Sequence, residues 1–391
     1  MSIETCFHNA TLYTGCSTMR NCAVHIKHHK IIDVFNETRF KQKQFNDYVE
    51  FIDLKGAYIA PGFIDTHIHG IGGFGTDDMN EDSILKMSEI LPRYGVTSFI
   101  PTLYSAPKGN LFRAMISVLK AMGHERGAKI LGMHLEGPFI SPERLGVQSL
   151  ASISAVDLEY MKEIISLGGG NIVNMTVAPE LKGMRELALM CIDQGIILQA
   201  GHTNANYQQM VEAMQARIMH VTHLFNAMSR MHHRDPGVVG AVFIHPELSC
   251  EIIADGVHIN PEIIKFLFNC KPTDKVVLVT DSLKPTKQRA RHLYANGEEV
   301  YFDKCFMRKS DNVIAGSGLT MIEGVKNLVD FGLDIEQAVQ TASYNPAMIM
   351  KQDHLGFVAP GYDADLVVFD KNFKLLKTVI KGEIFEKGII K

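Results

Sequence analysis

His67 and His69 stand two residues apart at the end of an apolar run, Tyr58-Ile-Ala-Pro-Gly-Phe-Ile-Asp-Thr-His67-Ile-His69, and Gly70, Gly72 and Gly73 follow. Residues two apart on an extended strand share a face, so both imidazoles can aim at one spot. Two neutral imidazoles converging from a strand end form half of a divalent-metal site, although a lone His-x-His is more often a packed pair. The other half is found by reading the ends of the other apolar runs. These are Leu135-Glu136-Gly137-Pro138, Gly201-His202-Thr203, Thr222-His223-Leu224, Asp255-Gly-Val-His258 and Thr280-Asp281-Ser282. Charged and ligand-type side chains are rarely placed beside buried segments unless they are paired or bind metal. Their recurrence at run ends points to one shared metal centre.

The chemistry follows from the donor types. Imidazoles with carboxylates suit zinc, and equally iron, cobalt or manganese. A metal so held polarises a carbonyl and brings the pKa of water towards neutrality, which permits hydrolysis without a covalent intermediate. Asp281 is placed to take a proton from that water and return it to a leaving amine. His258 is placed to hydrogen-bond a developing oxyanion. No GxSxG elbow and no Cys–His arrangement competes as a nucleophile.

The elements that must position these residues alternate. After the opening run, candidate strands are 97–102, 129–135, 171–178, 195–201, 218–223, 249–254 and 275–280. Helical patterns fill most gaps at 81–93, 108–123, 155–166, 182–194, 205–216 and 261–270, with Asn260 and Pro261 opening the last and Thr203 or Asn204 capping 205–216. The segment after 218–223 is ambiguous, 282–318 is irregular with room for an inserted hairpin, and helices at about 320–331 and 334–343 close the region. Eight strand–helix units predict an α/β fold, a (β/α)8 TIM barrel, in which functional residues stand at the C-terminal strand ends. A doubly wound sheet shares the alternation and is the rival architecture.

Residues 1–57 and the C-terminal stretch have another texture: short strands with turns, suited to an antiparallel sheet. The expected organisation is a small composite β-sandwich domain of residues 1–57 plus 359–391, with a barrel domain, 58–358, inserted between its halves. The chain of 391 residues, 46% apolar and 21% charged, suits a barrel plus a smaller module. A net charge of −4 provides no basic face for nucleic acid or anionic membrane. The first residues lack a basic and an apolar region of secretory type, and no apolar run is long enough to span a bilayer. Seven scattered cysteines without CxxC spacing suit reduced thiols, hence a cytoplasmic enzyme.

PGFIDTHIHG, HLEGPFIS, AGHTNA, VTHLFNAM, ADGVH and VTDS, in this order, resemble the amidohydrolase superfamily and, more closely, its N-acetylglucosamine-6-phosphate deacetylase family. The likeness runs through the closing NPA (345–347) and GYDADLV (361–367). It implies that Glu136, His202 and His223 bind one divalent metal and that His67 and His69, with Glu136 bridging, bind a second. Asp281 joins the metal set as the acid–base residue, and His258 contacts substrate. Strand 171–178 ends without the lysine that carboxylated-lysine relatives place there, which counts against dihydroorotase or hydantoinase chemistry.

For substrate, the likeness implies a small phosphorylated amino sugar clamped by Asn226, the Ala227 backbone and Arg234, the arginine being a bidentate phosphate receptor. By residue pattern alone, Met231-His-His-Arg234 reads as a solvated loop. Val147 and Gln148 occupy the loop where many relatives carry a histidine. Gln148 can hydrogen-bond a sugar but cannot carry charge. Leu319, in Ala315-Gly-Ser-Gly-Leu319, resembles the wall around the acetyl methyl. The likeness further implies a homodimer in which a partner residue reaches the phosphate, and leaves the epimeric N-acetylgalactosamine 6-phosphate as the alternative substrate.

Overall fold

The computed structural model describes residues 4–385; positions 1–3 and 386–391, the outer ends of the expected small domain, lie outside the described residues. Eight parallel strands form the barrel: β1 (Phe63–Ile68), β2 (Val96–Tyr104), β3 (Met133–Glu136), β4 (Ile172–Val177), β5 (Ile197–Ala200), β6 (His220–Val221), β7 (Ser249–Ile253) and β8 (Val276–Val279). A short strand, Lys129–Ile130, precedes β3 and pairs with β2 as well. Each labelled strand pairs in parallel with its neighbour from β1 through β8. The β8–β1 seam is drawn together differently. The Asp281 amide donates to the His67 carbonyl at 2.8 Å, the His69 amide to Ser282 O at 2.9 Å, and the Thr280 hydroxyl to buried Asp65 at 2.6 Å. The barrel reading holds over the doubly wound rival.

The helices lie where the 3.6-residue spacing of apolar residues puts them. Pro261–Cys270 begins on the Asn260 cap with Pro261 in its first turn. Tyr207–Gln215 instead starts on Asn206, whose side chain accepts from the Gln209 amide. Thr203 and Asn204 cannot cap because their side chains are engaged elsewhere, Thr203 with Glu180 and Asn204 with Glu143 and Arg144. The ambiguous segment after β6 is a helix, Gly237–Ile244, apolar on every side and buried from Gly237 to Val242; without a polar face it shows no period. The irregular stretch holds more than a hairpin: Leu293–Ala295, Glu298–Asp303, Cys305–Arg308 and Ile314–Gly316 form a four-stranded antiparallel sheet.

The apolar run that opens the barrel divides at Gly62. Tyr58–Pro61 pairs with Glu4–Tyr13 and with Leu366–Phe369 in the terminal sheet, and only Phe63 onward enters the barrel. Pro61 has no N–H to continue a ladder, and a Cβ on Gly62 would stand 2.1 Å from the Thr97 hydroxyl oxygen. The chain ends together make one eight-stranded sheet with its own core, including Phe7, Leu12, Ile26, Ile59, Leu366 and Val379. Lys129, at the foot of β3, ties that sheet to the barrel through Asp365 at 2.5 Å and Asp363 at 3.0 Å. No helix among the described residues is long and apolar enough to cross a membrane.

Candidate metal centre and cavity

The strands are shorter than their apolar runs suggest because the backbone breaks at the residues of interest. His202, His223 and Asp281 have φ of 47°, 26° and 46°, and Phe225 and Ala227 have 77° and 48°. Non-glycine residues with positive φ are uncommon, and such strain gathers at functional sites. Each turn swings a side chain off its strand end towards the barrel axis. The result is two trios of ligand-type side chains. The donor atoms of His67, His69 and Asp281 lie within 4.8 Å of one another, and so do those of Glu136, His202 and His223.

Glu136 faces both trios. Its Oε1 is 3.1 Å from His202 Nε2, 3.2 Å from His223 Nε2 and 3.5 Å from His67 Nε2, while Oε2 is 3.5 Å from His69 Nε2. Asp281 Oδ1 stands 3.4 Å from His69 Nε2 and 3.6 Å from His67 Nε2. The outward nitrogens of three rings are held by acceptors: His67 Nδ1 by Glu251 at 2.9 Å, His69 Nδ1 by the Thr102 carbonyl at 3.1 Å, and His202 Nδ1 by the Arg144 carbonyl at 2.9 Å. Carboxylates and carbonyls only accept, so these nitrogens carry the protons and the neutral rings turn Nε2 lone pairs inward.

The centre is therefore ringed by lone pairs and carboxylate oxygens at 3.1–3.6 Å, which repel unless a cation sits among them. Protonating the rings instead would set like charges side by side, since the His202 and His223 centroids are 5.0 Å apart and those of His67 and His69 5.5 Å. The residues fit a divalent metal. Burial would raise the Glu136 carboxyl, yet His202, His223 and His67 hold it well below its usual range. Against burial, Glu251 and Glu136 in turn raise His67 and Glu136 raises His202, so in the metal-free cluster protons stand where a cation would displace them. Burial acts the same way on Asp281, and in the metal-free cluster the nearby His69 and His67 outweigh it and hold it below its usual range. His134, beneath the site, is held well below its usual range chiefly by burial.

Above the trios opens a cavity of about 400 Å³. Val147, Gln148, Asn226, Ala227 and His258 line it together with the metal-type residues His69, Glu136, His202, His223 and Asp281. Gln148 donates its amide to Glu136 Oε2 at 2.7 Å, and its own Oε1 has no partner. His258 Nδ1 is held at 2.6 Å by Asp255, which also accepts the Val257 and His258 amides.

Two expected substrate residues are elsewhere. Arg234 is exposed in a tight turn closed by reciprocal His232–Asp235 backbone bonds and does not line the cavity. Leu319 packs in the core with Ile253, Val277 and Val279, while Val313 to Gly316 form the cavity wall. The turn geometry decides this, because it carries 231–235 outward into solvent. Three residues of the site escaped the reading of the sequence. Arg230 lines the cavity and has no ion pair or hydrogen bond among the described residues. Tyr104, at the far end of β2, stacks on His69 at 3.9 Å and 13°. Glu251 sits within β7. Tyr104 was detectable as the continuation of an apolar strand past Thr102; nothing in the pattern distinguishes Arg230 from Arg234.

Comparison with known proteins places the chain among hydrolases. A family model described as the amidohydrolase family matches residues 58–385. The chain is 36% identical over 332 residues to the N-acetylglucosamine-6-phosphate deacetylase of Bacillus subtilis, covering 83% of this chain and 84% of that one. Among solved structures, the N-acetylglucosamine-6-phosphate deacetylase of Pasteurella multocida superposes with a TM-score of 0.91 at 29% identity, over 98% of this chain and 100% of the other. A mutant of the Mycobacterium smegmatis enzyme in complex with N-acetyl-D-glucosamine-6-phosphate superposes at 0.89 with 25% identity, over 98% and 99%.

Proposed function

The chain belongs to the amidohydrolase family, and from that premise we propose that it hydrolyses the acetamide of N-acetylglucosamine 6-phosphate to glucosamine 6-phosphate and acetate. The observation that carries this reading is the meeting of two ligand trios at Glu136 on the floor of a cavity whose wall holds the Arg230 guanidinium, unpaired among the described residues. Glu136, His202 and His223 would hold one divalent ion, and His67, His69 and Asp281 with Glu136 a second; zinc or iron suits the donors best, then cobalt or manganese. When bound, the metal supplies an activated water and a Lewis acid for the amide carbonyl.

The chain's own residues do the rest. Asp281, ionised and facing the cavity, accepts a proton from the attacking water and delivers it to the departing nitrogen. Water adds to the carbonyl carbon, the C–N bond breaks, and the products are an amine and acetate. His258 lines the cavity with its Nδ1 fixed on the Asp255 carboxylate, which orients the ring to hydrogen-bond the developing oxyanion. Gln148 holds Glu136 in place by donating its amide to Oε2 at 2.7 Å. At the other end of the cavity, Asn226, Ala227 and Arg230 receive the phosphorylated end of the sugar.

Exposed Arg234, beside exposed Met231, is then available to the cavity of a second copy, which supports a homodimer. Seven free thiols support a cytoplasmic setting. The deciding experiment measures acetate release from the 6-phosphate sugar with and without a chelator, alongside the metal content of the purified protein and a parallel assay on the galactosamine epimer. Protein with neither bound metal nor metal-stimulated acetate release would sink the proposal.

A further inference from the structure

We propose that Glu251 is the residue that makes His67 a metal ligand, and thereby sets occupancy of the His67–His69–Asp281 trio. The inference rests on the metal-centre reading above and extends it to a side chain that touches neither cavity nor substrate. Glu251 lies in mid-β7, fully buried inside the barrel. Barrel interiors are filled mainly by branched apolar side chains, and an ionised carboxylate there is costly unless every lone pair is used.

Here both oxygens meet hydrogen-bond donors. Oε2 accepts from His67 Nδ1 at 2.9 Å and from the His223 backbone amide at 3.1 Å. Oε1 accepts from Gln199 Nε2 at 3.1 Å. Gln199 is itself fixed, because its Oε1 accepts from Asn174 at 3.1 Å. Glu251 therefore cannot turn away, and an acceptor-only group at His67 Nδ1 forces the proton onto that nitrogen. The Nε2 lone pair must then face Glu136 and Asp281. Without Glu251, His67 Nδ1 would lose its only acceptor among the described residues, and the ring would be free to take the other tautomer, with a proton where the ion should bind. Glu251 is a positioning residue, and its reach to the His223 amide links it to the second trio.

The test titrates Zn²⁺ into metal-free protein against a chelating dye. Wild type should take two ions. Glu251→Leu should weaken the second by about ten- to a hundredfold, the usual weight of a carboxylate behind a ligating histidine. Glu251→Gln, which keeps an acceptor oxygen, should recover most of that loss. Unchanged second-ion affinity in the Leu variant, a Gln variant as damaged as Leu, or a wild type that binds a single ion would each overturn the inference. A wild type that binds no ion would instead overturn the metal-centre reading itself. Should the Leu variant fail to fold, imidazole ¹H–¹⁵N spectra of the native zinc-loaded protein decide: His67 protonated on Nδ1 supports the proposal, and His67 protonated on Nε2 refutes it.

Discussion

Replacing Asp281 by Asn separates its chemical role from its structural one. The substitution is isosteric, and the fold gives it little to disturb. The bond that ties this residue to the β8–β1 seam runs from its backbone amide to His67 O at 2.8 Å and survives. The backbone stands at φ 46°, which asparagine tolerates as well as aspartate. The side chain's nearest polar contacts are His69 and His67 at 3.4 and 3.6 Å, too long to contribute much stability. Melting temperature should stay within a few degrees of wild type. Glu136, His202 and His223 come from β3, β5 and β6 and do not touch the change, so one ion should stay bound. What disappears is the proton acceptor, worth about 10²–10⁴ in rate, or about 2.7–5.4 kcal/mol of transition-state stabilisation at 1.36 kcal/mol per decade. A coupled acetate assay should find that loss in kcat, with KM nearly unchanged. The pH profile adds a second readout. Burial raises the Asp281 carboxyl, but His69 and His67 outweigh it and hold it low, and a bound cation acts in the same direction. The base is active when ionised, so activity falls only as pH drops below the ordinary carboxylate range of about 4. The Asn variant should lack that limb. A kcat within tenfold of wild type, in protein with metal bound and melting normally, would refute the assignment.

Arg230→Ala should raise KM for the 6-phosphate sugar about tenfold or more, as expected for losing a hydrogen-bonded charge partner, and leave hydrolysis of the unphosphorylated sugar almost untouched; equal effects on both would show that Arg230 does not meet the phosphate. Lys129→Met removes the cation between Asp363 and Asp365 and leaves Asp365 buried and uncompensated, at a cost of about 3–5 kcal/mol at neutral pH. Burial raises the Asp365 carboxyl, so in the variant the penalty applies while Asp365 is ionised and is relieved as pH falls through its elevated pKa. Melting curves of both proteins from pH 8 to pH 4 should therefore converge, and a gap independent of pH would contradict this. Gly201→Ala would place a Cβ 2.6 Å from Thr222 Cβ and 2.8 Å from Thr176 Cγ2; overpacking of this kind costs about 1–3 kcal/mol, and because His202 is the next residue, metal affinity should fall with stability. Full metal affinity at wild-type stability would mean the site relaxes without moving His202.

The sequence by itself determined the barrel and most of its centre. Period-2 and period-3.6 patterns record which faces are buried, and ligand-type residues at the ends of apolar runs are improbable unless those ends converge. His67, His69, Glu136, His202, His223 and Asp281 were legible for that reason, and the structure brings them together. Tertiary structure decided the matters that depend on turns and on registers across strands. Gly62, not Tyr58, divides the terminal sheet from the barrel, because pairing partners remote in sequence claim Tyr58–Pro61. A tight turn sends Arg234 into solvent and leaves Arg230 at the cavity, a choice no local propensity records. Glu251 looked like one polar letter inside an apolar strand. Only the barrel's closure, which brings β7 to within 2.9 Å of His67 across 184 residues of chain, reveals what that carboxylate holds.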